Sequence, residues 1–159
     1  MAIDRSEFRR VMGHFATGVT IVTTHDGNGK NFGLTANAVC SLSLSPPLVL
    51  VCVDKSAESY PAFERSHAFA VNILTLAQRE MSERFAVSGG DKFTGLACRT
   101  GVTGSPILEG VLAYVECRVV AAHDGGDHTI YVGEVEGSDA IAGEPLLFFR
   151  GRYHRLRDP

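Results

Sequence analysis

GLTANAVCSLSLSPPLVLVCV, residues 33–53, carries the strongest indication of the fold class. Small polar and apolar residues alternate through residues 33–47, which is typical of β-strands, and the pair Pro46-Pro47 stops the pattern. The continuous apolar run LVLVCV (48–53) predicts a strand that is buried on both faces.

Strand-like runs also dominate the sequence on either side of this stretch. GVTIVTT (18–24) is followed by the turn-rich HDGNGKN (25–31), which predicts a hairpin connection. Further runs lie at residues 68–74, 111–122, 128–135 and 146–156. Most of these runs are not separated by a helix long enough for a parallel crossover. The sequence therefore predicts a mainly β fold with a few helices, in which an antiparallel sheet closes into a barrel.

Helices are predicted at three places. The first runs from about Asp4 to Ala16, and Asp4 and Glu7 resemble a capping box. The apolar face of this helix is formed by Phe8, Val11, Met12 and Phe15. A short helical turn is expected at residues 60–65, and Thr75 and Gln78 form a second capping box before the third helix. The apolar stripe of that helix is Leu76, Ala77, Met81 and Phe85. We expect Phe8, Phe15 and Phe85 in the core, and residues 89–95 in a loop.

Composition places the chain among ordinary globular proteins with a single domain, residues 1–159. Lysine and arginine are scattered, which disfavours a nucleic-acid partner. The charged start MAIDRSEFRR lacks the apolar core of a signal peptide, and no apolar run approaches the length of a membrane span. We therefore expect a cytoplasmic protein that does not bind a membrane.

Several common catalytic patterns are missing from the sequence. Cys40, Cys52, Cys98 and Cys117 lie far apart, which argues against a zinc site or a disulfide framework and fits a reducing compartment. There is no G-x-G-x-x-G between a strand and a helix, no Walker A motif and no G-x-S-x-G. No histidine pair has metal-ligand spacing, so we expect no metal site.

Small hydroxyl and amide side chains are concentrated in and after the opening stretch. They are Thr35, Asn37, Ser41, Ser43 and Ser45, followed directly after the apolar run by Asp54, Lys55 and Ser56. Such a set can offer hydroxyl groups, backbone N–H groups and one ammonium to a polar planar ring and a phosphate. They can also be ordinary loop and edge-strand residues, and the spacing by itself favours that interpretation.

Seven segments of the sequence, taken in order, indicate a protein family more specifically than any one of them does alone. These segments are FATGVTIVTT (15–24), GLTANAVCSLSLSPPLVLVCVDKSA (33–57), FAVNIL (69–74), RFA (84–86) with KF (92–93), SPILEGVLAYVEC (105–117), GDHTIYVGEV (126–135) and LLFFRGRYHRL (146–156). In this order, over nearly the whole chain, they resemble the flavin reductase-like, FMN-binding split-barrel family. The resemblance implies an antiparallel split β-barrel. It also implies an NAD(P)H:flavin oxidoreductase that reduces FMN or FAD with NADH or NADPH and supplies reduced flavin to a partner monooxygenase.

The same resemblance assigns residues to the flavin. The residues that pack along the flavin ring and bind its polar edge are Leu34, Thr35, Ala36 and Asn37. The ribityl and phosphate side is lined by Ser41, Cys52, Val53, Asp54, Lys55 and Ser56. The end of the third helix, Arg84-Phe85-Ala86, closes over the cofactor together with Lys92.

Two further residues are associated with the nicotinamide nucleotide by this resemblance: His128, in Gly126-Asp127-His128, and Tyr153. From the residues alone, His128 can equally be a solvent-facing hairpin residue, and Tyr153 can pack at the barrel rim. No catalytic side chain is expected, because the two cofactors carry the hydride chemistry themselves and the chain has only to bind and orient them.

A barrel this small leaves one face of a flavin poorly covered, so we expect a twofold homodimer with the site at or near the interface. Two alternatives remain open on the same fold. One is a non-catalytic flavin-binding or redox-sensing protein. The other is an oxidase of another small molecule such as a pyridoxine phosphate, for which only Arg150, Arg152 and Arg155 are close enough in sequence to form a basic cluster.

Overall fold

Short helices and many strands make up the computed structural model, which describes residues 2–159. The helices are α1 (Arg5–Met12), α2 (Tyr60–Ser66) and α3 (Arg79–Phe85), and a 3-10 turn (Leu76–Gln78) leads directly into α3. The strands are β1 (Thr17–Gly18), β2 (Thr20–His25), β3 (Asn31–Ala36), β4 (Val39–Leu44), β5 (Pro47–Asp54), β6 (Ala68–Ile73), β7 (Cys98–Thr100), β8 (Pro106–Leu108), β9 (Ala113–Gly125), β10 (His128–Ala140), β11 (Leu146–Phe149) and β12 (Arg152–Arg155).

The main sheet has seven strands in the order β3-β2-β6-β9-β10-β5-β4, and every neighbouring pair is antiparallel. Its two edge strands, β3 and β4, are consecutive in sequence and are joined only by Asn37 and Ala38. Because a residue spans at most about 3.5 Å of extended chain, so short a link brings the two edges of the sheet together. The sheet is therefore rolled, as the predicted barrel requires.

Two hydrophobic clusters form the core. One fills the interior of the main sheet and includes Val22, Val51, Val53, Phe63, Phe69, Val71, Cys117 and Tyr131. The other lies between the sheet, α3 and the strand pair β11–β12, and it includes Val19, Ile21, Leu74, Phe85, Leu108, Val111 and Leu146. The buried side chain of Asn72 donates to Ile21 O (3.0 Å) and accepts from Leu108 N (2.9 Å), so it joins β6 to β2 and β8.

The predicted pattern of strands and turns is confirmed, with two corrections. The prediction that residues 48–53 are buried on both faces is wrong: Val51 and Val53 are buried, whereas Leu50 and Cys52 are only half-buried. These alternate residues point to the other face of β5, which the core does not cover. The run 146–156 is not one strand, because Arg150 and Gly151 have φ values of 51° and 75° and turn the chain between β11 and β12.

The helices differ from the prediction mainly at α1. Asp4 caps it as predicted, since its Oδ1 accepts from Ser6 N (2.7 Å) and Glu7 N (3.0 Å), but the Glu7 carboxylate binds Arg10 instead of closing a capping box. The helix ends at Met12, not Ala16. The expectation that Phe8 and Phe15 lie in the core is wrong, because their side chains are 56% and 73% exposed.

The third predicted helix agrees better with the structure. Thr75 N donates to Gln78 Oε1 (2.9 Å), as the predicted capping box requires, and Phe85 is buried in the core as predicted. Leu76 and Met81 pack against the second cluster, whereas Ala77 is exposed. Within residues 2–159, no helix has both the length and the hydrophobicity needed to cross a membrane.

Candidate functional site

A cavity of about 340 Å³ lies where the end of β3, the turn after β5, the end of α3 and the start of β10 meet. Most of the residues that the sequence assigned to cofactors line it: Leu34, Thr35, Ala36, Asn37, Cys52, Asp54, Ser56, Phe85, Ala86, Lys92 and His128. The pairing of β10 with β5 sets His128 opposite Asp54, which explains why residues 74 positions apart in sequence reach the same cavity.

One wall of the cavity, formed by β3 and α3, is packed directly on the core. Gly33 allows this packing, because a Cβ atom there would lie 2.9 Å from Phe85 Cε1 and 3.2 Å from Val22 O. Thr35 Oγ1 donates to the backbone oxygen of Ser82 (2.6 Å) and so ties the strand to the helix. The buried Ser82 hydroxyl in turn bonds Tyr153 OH (2.7 Å), which places Tyr153 behind this wall.

The opposite wall consists of two exposed turns, residues 54–56 and 124–128. Asp54 Oδ1 accepts from both the N and the Oγ of Ser56 (2.7 Å each), and these bonds lower the pKa of Asp54. The Lys55 ammonium binds the Asp124 carboxylate and donates to Gly126 O (2.6 Å), and Lys55 N donates to Asp127 O (3.0 Å). Lys55 therefore holds the two turns together.

His128 stands at the end of this second wall and contacts the carboxylate next to it in the sequence. Its Nδ1 donates to Asp127 Oδ1 (2.7 Å), and this hydrogen bond lowers the pKa of the Asp127 carboxyl. Because the bond fixes the orientation of the imidazole, Nε2 is the ring's polar atom for a ligand. Among residues 2–159, no three or more His, Cys, Asp or Glu side chains are grouped so that they could hold a metal ion.

The lining residues of the cavity have the chemical groups needed to bind a flavin mononucleotide. Leu34, Ala36 and Ala86 give a planar ring an apolar surface, with the buried Phe85 ring behind it, as small-molecule sites usually do. Hydroxyl and amide groups from Thr35, Asn37, Ser56, Ser59 and Ser88 surround that surface and can bind polar edges and phosphate oxygens. Lys92 adds one cation for the phosphate charge.

Residues 12–157 match the model of a protein family described as flavin reductase like domain. The chain belongs to the flavin reductase-like family. It is 46% identical over 155 residues to the reductase subunit HsaB of a flavin-dependent monooxygenase from Mycobacterium tuberculosis, covering 95% of this chain and 82% of that protein. It is 38% identical over 157 residues to the FMN reductase (NADH) RutF 2 of Methylorubrum extorquens, covering 98% and 91%.

A solved structure of a flavin oxidoreductase also resembles this chain closely over nearly its whole length. The NADH:FAD oxidoreductase SgcE6 of Streptomyces globisporus, in complex with NAD and FAD fragments, superposes with a TM-score of 0.91 at 40% identity and covers 97% of this chain and 93% of its own. The predicted family, the antiparallel split barrel and the flavin reductase class of enzyme are thereby confirmed.

Four residues that the sequence assigned to cofactors in this flavin reductase lie outside the cavity lining: Ser41, Val53, Lys55 and Tyr153. Val53 is 1% exposed and belongs to the core, because it alternates with Cys52 and Asp54 along β5. Ser41 is an exposed residue of the edge strand β4.

The other two residues support the walls of the cavity from outside its lining. Lys55 donates to Gly126 O, and the Tyr153 hydroxyl bonds the Ser82 hydroxyl. Arg84 likewise donates to Asp91 O (3.2 Å) and Thr94 O (2.6 Å), which holds the loop that carries Lys92.

The cavity of this flavin reductase also contains residues that the sequence did not single out. They are Ala38, Ala57, Glu58, Ser59, Val87 and Ser88. All of them directly continue segments that were assigned to the flavin, namely those ending at Asn37, Ser56 and Ala86. Extending these segments by one to three residues would have found them.

Proposed function

We propose that this protein oxidises NADH or NADPH and transfers the hydride to FMN or FAD held in the cavity between β3, α3 and the two turns. The proposal rests on one observation: a single cavity is lined by an apolar strip, by hydroxyl groups around that strip, and by Lys92 and His128. The relatives named as an NADH-dependent FMN reductase and as an NADH:FAD oxidoreductase support the same pair of substrates.

Binding and orientation are the tasks of the chain in this reaction. The nicotinamide and the flavin supply the hydride chemistry themselves, so the protein needs no nucleophile or general acid. The β3–α3 wall would hold the flavin ring on Leu34, Ala36 and Ala86. His128 would bind the nicotinamide nucleotide from the opposite wall. Holding two flat rings in contact converts an encounter in solution into a step within one complex, which is an entropic contribution.

The product of this reaction is reduced flavin for a partner monooxygenase. HsaB is named as the reductase subunit of a flavin-dependent monooxygenase, and 4-nitrophenol 4-monooxygenase of Rhodococcus opacus has a reductase component that is 44% identical to this chain over 152 residues. In such a pair the flavin acts as a substrate that leaves after reduction.

The exposed apolar surface supports a homodimer. A cavity of about 670 Å³ with a largely apolar lining extends from Met12 and Phe15 to Val39, Leu50 and Ile73, and it shares Asn37, Ala38 and Cys52 with the flavin cavity. Monomeric proteins rarely expose apolar areas of this kind. A second copy on this surface would bury Phe15 and close the flavin cavity from the side of Asn37.

The dimer is tested by sedimentation velocity on two matched variants. Phe15→Asp introduces a charge into the proposed interface, where the side chain is 73% exposed, and Val102→Asp does so at a 70% exposed residue elsewhere. We expect wild type and Val102→Asp to sediment as dimers and Phe15→Asp as a monomer. A monomeric wild type, or a dimeric Phe15→Asp, contradicts the arrangement.

The function itself is tested by stopped-flow absorbance of NADH and NADPH oxidation with FMN, FAD and riboflavin. We expect flavin-dependent oxidation of at least one nicotinamide nucleotide. A protein that binds flavin tightly but does not oxidise either nucleotide would instead be a non-catalytic flavin-binding or redox-sensing protein. The pyridoxine phosphate alternative has no support in the cavity, since Arg150, Arg152 and Arg155 do not line it and Arg155 pairs with Glu144 (3.0 Å).

A further inference from the structure

The lining of the flavin cavity carries more carboxylates than cations. Asp54 and Glu58 supply two carboxylates, whereas Lys92 is the single lysine or arginine of the lining within residues 2–159. Asp54 lies on the polar wall, where its Oδ1 already accepts from Ser56. A phosphate monoester such as that of FMN carries a charge of about −1.5 to −2 at neutral pH. The second carboxylate, that of Glu58, therefore opposes the ligand proposed for this cavity.

Glu58 stands at the end of the cavity where Lys92 lies. Both residues also line a neighbouring cavity of about 290 Å³, which places them on the rim that the two cavities share. Neither takes part in the ion pairs formed within residues 2–159. Their charges are therefore not engaged in an ion pair with each other, and both act on an anion that lies at this rim.

The Glu58 carboxylate is held by a backbone N–H group of the loop after α3. Glu58 Oε2 accepts from Gly89 N (2.8 Å), and Gly89 and Gly90 have φ values of 90° and 74°, which favour glycine. Backbone N–H groups of glycine-rich turns are common ligands of phosphate oxygens. In this chain the carboxylate of Glu58 occupies such an N–H group, as a phosphate oxygen would.

A role in holding the loop does not by itself account for the charge of Glu58. The hydrogen bond from Gly89 N needs only an acceptor, which an amide oxygen provides as well as a carboxylate. A carboxylate near the phosphate of the flavin costs binding free energy, because like charges repel. The charge therefore has a consequence for the ligand that the hydrogen bond does not explain.

We infer that Glu58 is a specificity-determining residue that weakens the hold of the cavity on the flavin phosphate. It competes with the phosphate for the Gly89 N–H group and opposes the attraction of Lys92. The flavin is then bound mainly through its ring and exchanges with the solution after reduction. The inference rests on the proposed flavin reductase function and deepens it, because it names a residue that favours release of the flavin.

Glu58→Gln tests this role, because it removes the charge and keeps an acceptor for Gly89 N. Calorimetric titration gives the Kd values for riboflavin and FMN, which differ only by the phosphate, so the ratio of the two values isolates the phosphate end of the site. Glu80→Gln is the matched control. Glu80 is also exposed, takes part in no ion pair formed within residues 2–159 and lies outside the lining of the flavin cavity.

We expect Glu58→Gln to raise the ratio of the riboflavin Kd to the FMN Kd about fivefold at low ionic strength, through tighter binding of FMN, while Glu80→Gln keeps the wild-type ratio. The gain should shrink in about 0.5 M salt, because the charges are screened. Lys92→Met should lower the ratio. A ratio in Glu58→Gln that stays within about twofold of wild type, or an unchanged ratio in Lys92→Met, overturns the inference.

Glu58→Ala distinguishes competition for the phosphate from a role in holding the loop. This variant removes both the charge and the acceptor, so we expect the ratio to rise at least as much as in Glu58→Gln. If the carboxylate served only to hold the loop, Glu58→Ala would weaken the binding of FMN and riboflavin equally and leave the ratio at its wild-type value. That result would contradict the inference.

The role of Glu58 and the flavin reductase function can be refuted separately. Wild-type protein that binds flavins and oxidises NADH, but whose ratio does not respond to Glu58→Gln, refutes the role of Glu58 and leaves the flavin reductase function intact. Wild-type protein that neither binds a flavin nor oxidises a nicotinamide nucleotide refutes both. Because Glu58 is exposed, Glu58→Gln is expected to fold.

Discussion

The β3–α3 wall of the flavin cavity is anchored in the core, whereas the wall formed by residues 54–56 and 124–128 is held by charged groups at the surface. Phe85, behind the first wall, is 1% exposed, and the Ser82 hydroxyl that bonds Tyr153 is fully buried. The second wall depends on the exposed contacts of Lys55 with Asp124 and of His128 with Asp127. We therefore propose that the core-packed wall holds the flavin ring, and that His128 on the polar wall binds the nicotinamide nucleotide.

The largest effect is expected from filling the space at Gly33. Gly33→Ala places a Cβ atom against the buried Phe85 ring and the Val22 carbonyl, so we expect the free energy of unfolding to fall by about 1–3 kcal/mol and flavin binding to weaken. Urea denaturation and flavin titration measure the two effects. Gly18→Ala, where nothing lies within 4 Å of the added atom, is the control. A Gly33→Ala variant as stable as Gly18→Ala would show that the first wall is not tightly packed.

His128→Ala tests the second wall. We expect the KM for NADH to rise several-fold, corresponding to a loss of about 1–2 kcal/mol, while the Kd for flavin changes little. His123→Ala, at an exposed position of β9, should leave both constants near their wild-type values. Loss of flavin binding or poor folding in His128→Ala would mean that the two walls do not divide the substrates between them.

Tyr153→Phe determines on which wall the tyrosine acts. Removing its hydroxyl leaves the buried Ser82 hydroxyl without this partner, so we expect a loss of stability of about 1 kcal/mol and weaker flavin binding. Tyr114→Phe, in β9 and outside the flavin cavity, serves as the control for removing a phenolic hydroxyl. An increase in the KM for NADH alone would instead support the nicotinamide role that the family resemblance implies.

The smallest effect is expected from Lys55→Met. Because the ammonium joins the two turns from an exposed position, its loss should raise the KM for NADH about twofold and leave the melting temperature nearly unchanged. The double variant with His128→Ala should be less than additive in KM, since both act on the same turn. Arg118→Met, which removes the surface pair with Glu136, is the control. Full additivity would show that Lys55 does not position His128.

Local patterns were sufficient to predict the strands, the hairpin at residues 25–31 and the cap of the third helix, because these depend on neighbours in the sequence. The exposure of α1 could not be predicted in this way. Apolar residues such as Phe8 and Met12 recur with helical spacing whether the helix packs on its own core or on another protein. The same limit applies to β5, where the apolar run LVLVCV does not reveal that Leu50 and Cys52 face away from the core.

The cofactor residues were predictable from the order of the segments, but their individual contacts were not. Lys55 and Asp124 are 69 residues apart, and Ser82 and Tyr153 are 71 residues apart. Such pairs depend on how the sheet rolls and on how α3 packs against β12. The family resemblance therefore implied that Lys55 lies on the phosphate side of the flavin, whereas in the structure its ammonium joins two turns.

Crystals grown with FMN give the sharpest test, because their difference electron density shows where the flavin lies. We expect the isoalloxazine ring against Leu34, Ala36 and Ala86, with Lys92 beside the phosphate and the open face of the ring toward His128. Density for the flavin elsewhere on the molecule, with the space between β3, α3 and His128 left to solvent, would contradict it.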